Sequence, residues 1–119
     1  MGKVVVPIEV LPQARVQRGL RLQALADTGA TLSMIPEAVL RRLGIRPTGQ
    51  MAVRLADGRV IKRPVGEARF KIDGKVAPSL VIFGKRGDAT VLGLVVLESL
   101  GLAVDPRRRK LVKGEILLL

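Results

Sequence analysis

The sequence predicts a mainly β protein with one or two short helices, and three observations carry that prediction. Apolar and polar residues alternate with a period of two over 20–26, 51–55 and 68–72, the pattern of half-buried strands. Asp-Gly dipeptides at 57–58 and 73–74 stand beside such runs, where hairpin turns call for positive φ angles. Only two segments, near 36–44 and 94–101, carry a helical apolar stripe, and each is stopped by a glycine.

Composition bounds the rest. The chain has 119 residues, enough for one compact domain over 1–119 and not for two. With 48% apolar residues but two Phe, no Tyr and no Trp, its core must be aliphatic. No apolar run approaches the roughly 20 residues that cross a bilayer, so no membrane partner is expected. The N-terminus lacks a basic region followed by a long apolar core, and the expected location is cytoplasmic. Without Cys there is no disulfide framework and no thiolate nucleophile; without His as well, every Ser-His or Cys-His mechanism is excluded. The same absences argue against a zinc or transition-metal site, and no metal or cofactor is expected. The net charge of +11 is spread along the chain, with one true cluster at Arg107, Arg108, Arg109 and Lys110. Basic patches for single-stranded nucleic acid usually interleave aromatics, which are nearly missing here, so a solvated basic surface explains the charge at least as well.

Taken in order, residues 3–11 read as a strand that Pro7 demotes to an edge or bulged one. Residues 13–19 are a polar connection, and 20–26 a strand that delivers Asp27 at its end. A short strand over 32–35 leads to Pro36, suited to a first helical position, and to a helix closed by Gly44. Glu37 in its first turn and Arg41 and Arg42 in its last complement the dipole. Residues 51–55 and 60–61 flank a hairpin turn at Asp57-Gly58. Residues 65–73 and 76–83 flank another at Asp73-Gly74, the return strand being interrupted at Pro78. Residues 84–88 form a charged glycine loop. Residues 89–92 read as a buried strand, 94–100 as an apolar helix, and 102–104 with 111–112 as a hairpin. The apolar tail 115–119 is expected to pair with another chain, because left exposed it invites aggregation.

The stretch Ala24-Leu25-Ala26-Asp27-Thr28-Gly29-Ala30-Thr31-Leu32-Ser33-Met34-Ile35 stands apart. A carboxylate inside an apolar run is costly unless it is hydrogen-bonded or used. An isolated Asp-Thr-Gly reads as an Asx-type turn; here apolar residues flank it on both sides. Asp27-Thr28-Gly29-Ala30 after an apolar strand resembles the active-site turn of aspartic proteases in the short, retropepsin-like form. Val91-Leu92-Gly93 and the helix after it resemble that family's second signature. A faint internal echo, Val39-Leu40-Arg41-Arg42-Leu43-Gly44-Ile45 against Val96-Leu97-Glu98-Ser99-Leu100-Gly101-Leu102, fits the approximate two-fold symmetry within one lobe.

The resemblance implies a single-lobe aspartic protease-like closed β-barrel, with a flap hairpin and a homodimer. It implies Asp27 as the catalytic residue, with Thr28, Gly29 and Ala30 forming the active-site turn and bracing the dimer. It places Ala56, Asp57, Gly58 and Arg59 in the flap over a bound polypeptide. Peptide hydrolysis of this kind needs two carboxyl groups, one as base and one as acid. None of the other four Asp residues repeats the Asp-Thr-Gly context, so a second copy must supply Asp27 across a two-fold axis. The alternative is a non-catalytic dimeric module on the same fold that binds peptides, or nucleic acid through Arg107 to Lys110. Salt-sensitive binding that ignores Asp27 would mark the latter.

Overall fold

Val, Ile and Leu, whose branched side chains suit a pleated surface, fill nine strands in the computed structural model, which describes residues 3–115. The order is β1 (Val5–Leu11), β2 (Leu20–Ala26), β3 (Ser33–Pro36), α1 (Glu37–Arg42), β4 (Gly49–Arg54), β5 (Val60–Ile72), β6 (Lys75–Gly84), β7 (Val91–Leu92), α2 (Leu94–Ser99), β8 (Leu102–Asp105) and β9 (Lys110–Lys113). The first seven strands form one sheet in the order β1-β2-β7-β3-β6-β5-β4. Pairing of Glu9 to Leu11 with Arg69 to Lys71 joins β1 to β5 and closes the sheet into a barrel, as expected. β4 pairs only with the first half of β5, so this hairpin projects from the barrel as a flap. Strands β8 and β9 form a separate hairpin.

Alternate residues of β1 and of the second half of β5 point into the barrel, while the end of β6 is buried on both faces. Val10, Leu11, Ile35, Phe70, Val81, Phe83 and Leu92 are essentially inaccessible, joined by Leu40 of α1 and by Val96 and Leu97 of α2. The two helices match the internal echo: Leu40 and Leu97 are each fully buried, and Gly44 and Gly101 take φ values of 77° and 67° after their helices.

Several expectations are corrected in detail. Residues 60–72 are one continuous strand rather than two runs, and β6 passes through Pro78 without interruption. Both follow from sheet position. Pro64 lies opposite Gln50 of β4, just before the β5–β6 ladder begins at Val65. Pro78 lies opposite Arg69, short of the β3–β6 ladder at 81–84. Pro7 likewise sits where β1 has β2 as its one neighbour. Each proline lacks a ladder donor where a second neighbouring strand is missing. Pro36 stands at the helix N-cap with ψ 133°, one residue before its expected place, because it still belongs to β3. The buried strand expected over 89–92 is only two residues long.

The two Asp-Gly turns also differ. At Asp73-Gly74 both residues have positive φ, 51° and 80°, and Ile72 pairs directly with Lys75, a two-residue type I′ hairpin. At the flap tip only Gly58 does, at 89°, and the turn begins earlier, with the Gly58 N–H donating to Leu55 O at 2.9 Å. The expectation for the tail at 116–119 lies outside the described residues.

Candidate active site

Asp27 follows the last residue of β2, and the backbone around it is held from both sides. Ahead of it, the Leu25 N–H donates to Thr90 O at 2.9 Å and the Ala26 N–H to Val4 O at 2.8 Å. The Asp27 N–H donates to Leu92 O of β7 at 3.0 Å. The turn then closes on itself: the Ala30 N–H donates to Asp27 O at 3.1 Å and the Gly29 N–H to Asp27 Oδ1 at 2.9 Å. The Asx-type bond is therefore present, and it engages one carboxylate oxygen. The carboxyl group is exposed at the mouth of a cleft.

Beyond the turn, α2 completes the clamp. The first N–H groups of a helix have no partner inside it, and α2 has no side-chain cap. Its Leu94 and Val95 N–H groups instead donate to Ala30 O at 2.8 Å and Thr31 O at 3.1 Å. Between β7 and α2, the Gly93 N–H donates at 2.9 Å to Ser33 Oγ, the one fully buried polar side chain among the described residues. A Cβ on Gly93 would lie 2.5 Å from the Leu32 carbonyl carbon and 3.0 Å from Ala30 O, so only glycine fits beneath the turn. Val91 and Leu92 pair with Leu25 and Ala26. The Val91-Leu92-Gly93 signature is thus physically the floor under Asp27.

The cleft, of about 730 Å³, runs between this turn and the flap. Of the expected site residues it brings together Asp27, Gly29, Ala30 and Ala56. Asp57, Gly58 and Arg59 sit at the hairpin tip, beyond the lining. Thr28 is exposed on the other side of the turn, beside Leu94, Leu97 and Glu98. Sequence reasoning missed Ser33, the β4 residues Met51 to Arg54 with Leu55, and Ile82 of β6. The alternation over 51–55 pointed to a strand, with Val53 and Leu55 half-buried and Met51, Ala52 and Arg54 exposed, and all five line the cleft. Arg107 to Arg109 occupy the exposed β8–β9 turn and Lys110 begins β9; in the turn Asp105 Oδ1 accepts from the Arg107 N–H at 3.0 Å and the Arg108 N–H at 3.2 Å.

At the tip, the Arg59 N–H donates to Asp57 Oδ1 at 3.0 Å and the Arg59 Nε to Oδ2 at 2.7 Å. These bonds, the backbone one foremost, hold the Asp57 carboxyl below its ordinary value of 3.8. A lowered carboxyl pKa stabilises the fold above the unfolded value, and that contribution is lost as pH falls through the folded one. Acidification below 3.8 is therefore expected to loosen the flap tip before the barrel. A lower protection factor for the Arg59 amide, taken against its intrinsic exchange rate at each pH, with core protection unchanged, is the readout; a tip equally protected at every pH contradicts it.

A closed single-lobe barrel, with one carboxylate on a glycine turn beneath a projecting hairpin, defines a retropepsin-like aspartic protease fold. A family model described as aspartyl protease matches residues 13–96, and the chain belongs to that family. Among solved structures, it is similar to the Simian Foamy Virus (mac) protease, with 25% identity over 78% of this chain and 90% of that one, at a TM-score of 0.56. EIAV protease, complexed with an inhibitor, shares 19% identity over 98% of this chain and 94% of that one, at a TM-score of 0.64. A foamy viral protease-reverse transcriptase bound to an RNA/DNA hybrid matches 80% of this chain at 22% identity and a TM-score of 0.60, and the match spans 11% of that larger chain. A comparison with curated proteins gives no match. Among the described residues, no helix is long and apolar enough to cross a membrane.

Proposed function

We propose that the protein is a homodimeric aspartic endopeptidase whose dyad is Asp27 of one chain and Asp27 of a second. The observation that carries this reading is the cleft itself: among the described residues Asp27 is its sole acidic one, exposed on a turn that backbone hydrogen bonds tie to β7 and α2. One carboxyl group cannot serve as base and acid at once, so a second must come from another copy, in the isologous arrangement commonest among oligomers.

In this reading the two carboxyl groups share one proton, because like charges in contact resist joint ionisation. The ionised member takes a proton from water as the water attacks the scissile carbonyl. The protonated member donates to the carbonyl oxygen, and the roles reverse as the amine leaves. Gly29 and Ala30 leave room for the substrate backbone. The Thr28 hydroxyl, exposed away from the cleft, is available to brace the two turns against each other. The flap residues 51–59 lie over a peptide bound in extended form. Membership in the aspartyl protease family supports the chemistry.

The test is proteolysis of an unfolded, mixed-sequence protein from acid to neutral pH, with the oligomeric state measured by sedimentation at the same concentrations. Cleavage that rises and falls with the dimer fraction is expected. A folded dimer that cuts nothing at any pH defeats general proteolysis.

A further inference from the structure

The wall of the cleft is largely apolar, with Met51, Val53, Leu55 and Ile82 among its residues, and only two of its residues are charged: Asp27 and Arg54. Arg54 ends β4. Its Nη1 donates to Gly58 O at 3.0 Å, which ties the guanidinium to the flap tip. Most of the five donors of the fork remain uncommitted, and no ion pair among the described residues includes Arg54. Asp57, the acid closest to it in sequence, is taken by Arg59 at 2.7 Å. Among the described residues the hairpin therefore presents one cation that no ion pair engages to a cleft whose other charged residue is Asp27. The side chain is exposed, so its attraction for a carboxylate is partly screened and depends on the fork's geometry.

We infer that Arg54 is a specificity-determining residue, which selects polypeptides carrying Asp or Glu in the stretch beneath the flap. The inference rests on the endopeptidase reading and names its substrate class. A carboxylate side chain matches the planar fork in a bidentate geometry that a neutral amide cannot reproduce, and a Lys in the same place meets like charge. The net charge of +11 adds long-range attraction for acidic chains, but the choice of position along the peptide is local to Arg54.

Short peptides with a Leu-Val-Ala centre and Gly-Ser ends, carrying a single Glu, Gln or Lys at each central position in turn, test this in two readouts. The first is kcat/KM for wild type. The second is binding of the same peptides, fluorescein-labelled, to Asp27→Asn by anisotropy. Glu is expected to exceed Gln by about two- to fivefold at one or more positions, with Lys below both. Arg54→Lys should keep that order, Arg54→Gln should level it, and Arg54→Glu should reverse it in favour of Lys. A merely structural role would weaken all three series together. Equal values for the three series, or a Glu preference that persists in Arg54→Glu, overturns the inference. Absence of cleavage in every series counts against endopeptidase activity alone, and the order of binding then still decides the role of Arg54. No binding of any series overturns it.

Discussion

Asp27→Asn is expected to abolish proteolysis while leaving the barrel folded. The side chain is exposed, and its one hydrogen bond among the described residues is accepted by Oδ1 from the Gly29 N–H. An Asn carbonyl oxygen can accept that bond, so the turn keeps its shape. The amide cannot take a proton from water, and in a symmetric dimer the substitution removes base and acid together. Positioned acid–base groups contribute about 10²–10⁴-fold, so kcat should fall by at least that range, with the denaturation midpoint nearly unchanged. Subunit mixing sharpens the test. If both carboxylates are needed, equal amounts of wild type and variant that exchange freely should retain about one quarter of wild-type activity, because only wild-type homodimers then turn over. Retention of half would mean that each chain acts alone.

Gly93→Ala should be nearly as damaging, although residue 93 touches no substrate in this reading. The added methyl would meet backbone, with Leu32 O at 2.6 Å and Ala30 O at 3.0 Å, rather than the flexible end of a side chain. The loop carrying Asp27 or the start of α2 must give way. Overpacking of this kind costs about 1–3 kcal/mol and occasionally more. A shift of about 1 Å at a reacting group can remove on the order of 10²-fold in rate. The expected outcome is a lower denaturation midpoint together with a loss of kcat/KM of about that size in the protein that remains folded. Ser33→Ala is the companion variant. It leaves the buried Gly93 N–H without its acceptor, which costs about 1–3 kcal/mol, but intrudes on nothing. It should therefore lower stability with a smaller effect on rate. Equal rate losses in both variants would argue against displacement of the turn as the cause.

Some of this was legible from neighbouring residues and some was not. The alternation over 20–26 placed a strand that delivers Asp27 at its end, and β2 stops at Ala26, one residue before it. The glycines at 44 and 101 closed both helices, each in the left-handed region that favours glycine. The prolines misled where they were judged by the residues beside them. Pro78 was expected to interrupt its strand, yet β6 runs through it, because the missing donor falls where β3 has not yet joined. The Asp-Gly turns look alike in sequence, but only the one at 73–74 is a two-residue turn.

The sequence by itself determined the β class, the two short helices and the position of the Asp27 turn. Those features are written in residues a few places apart: periodicity, glycine stops and a carboxylate in an apolar run. The tertiary structure alone decided which strands are neighbours. It closed the barrel through β1 and β5, seated Gly93 under the Leu32 carbonyl, and brought Ser33 to a backbone amide 60 residues away. It also turned β4 into a cleft wall and left Arg54 there outside any ion pair among the described residues. Such facts depend on contacts between distant segments, where each residue's environment is set by the order of strands in the sheet and not by its own neighbours in the chain.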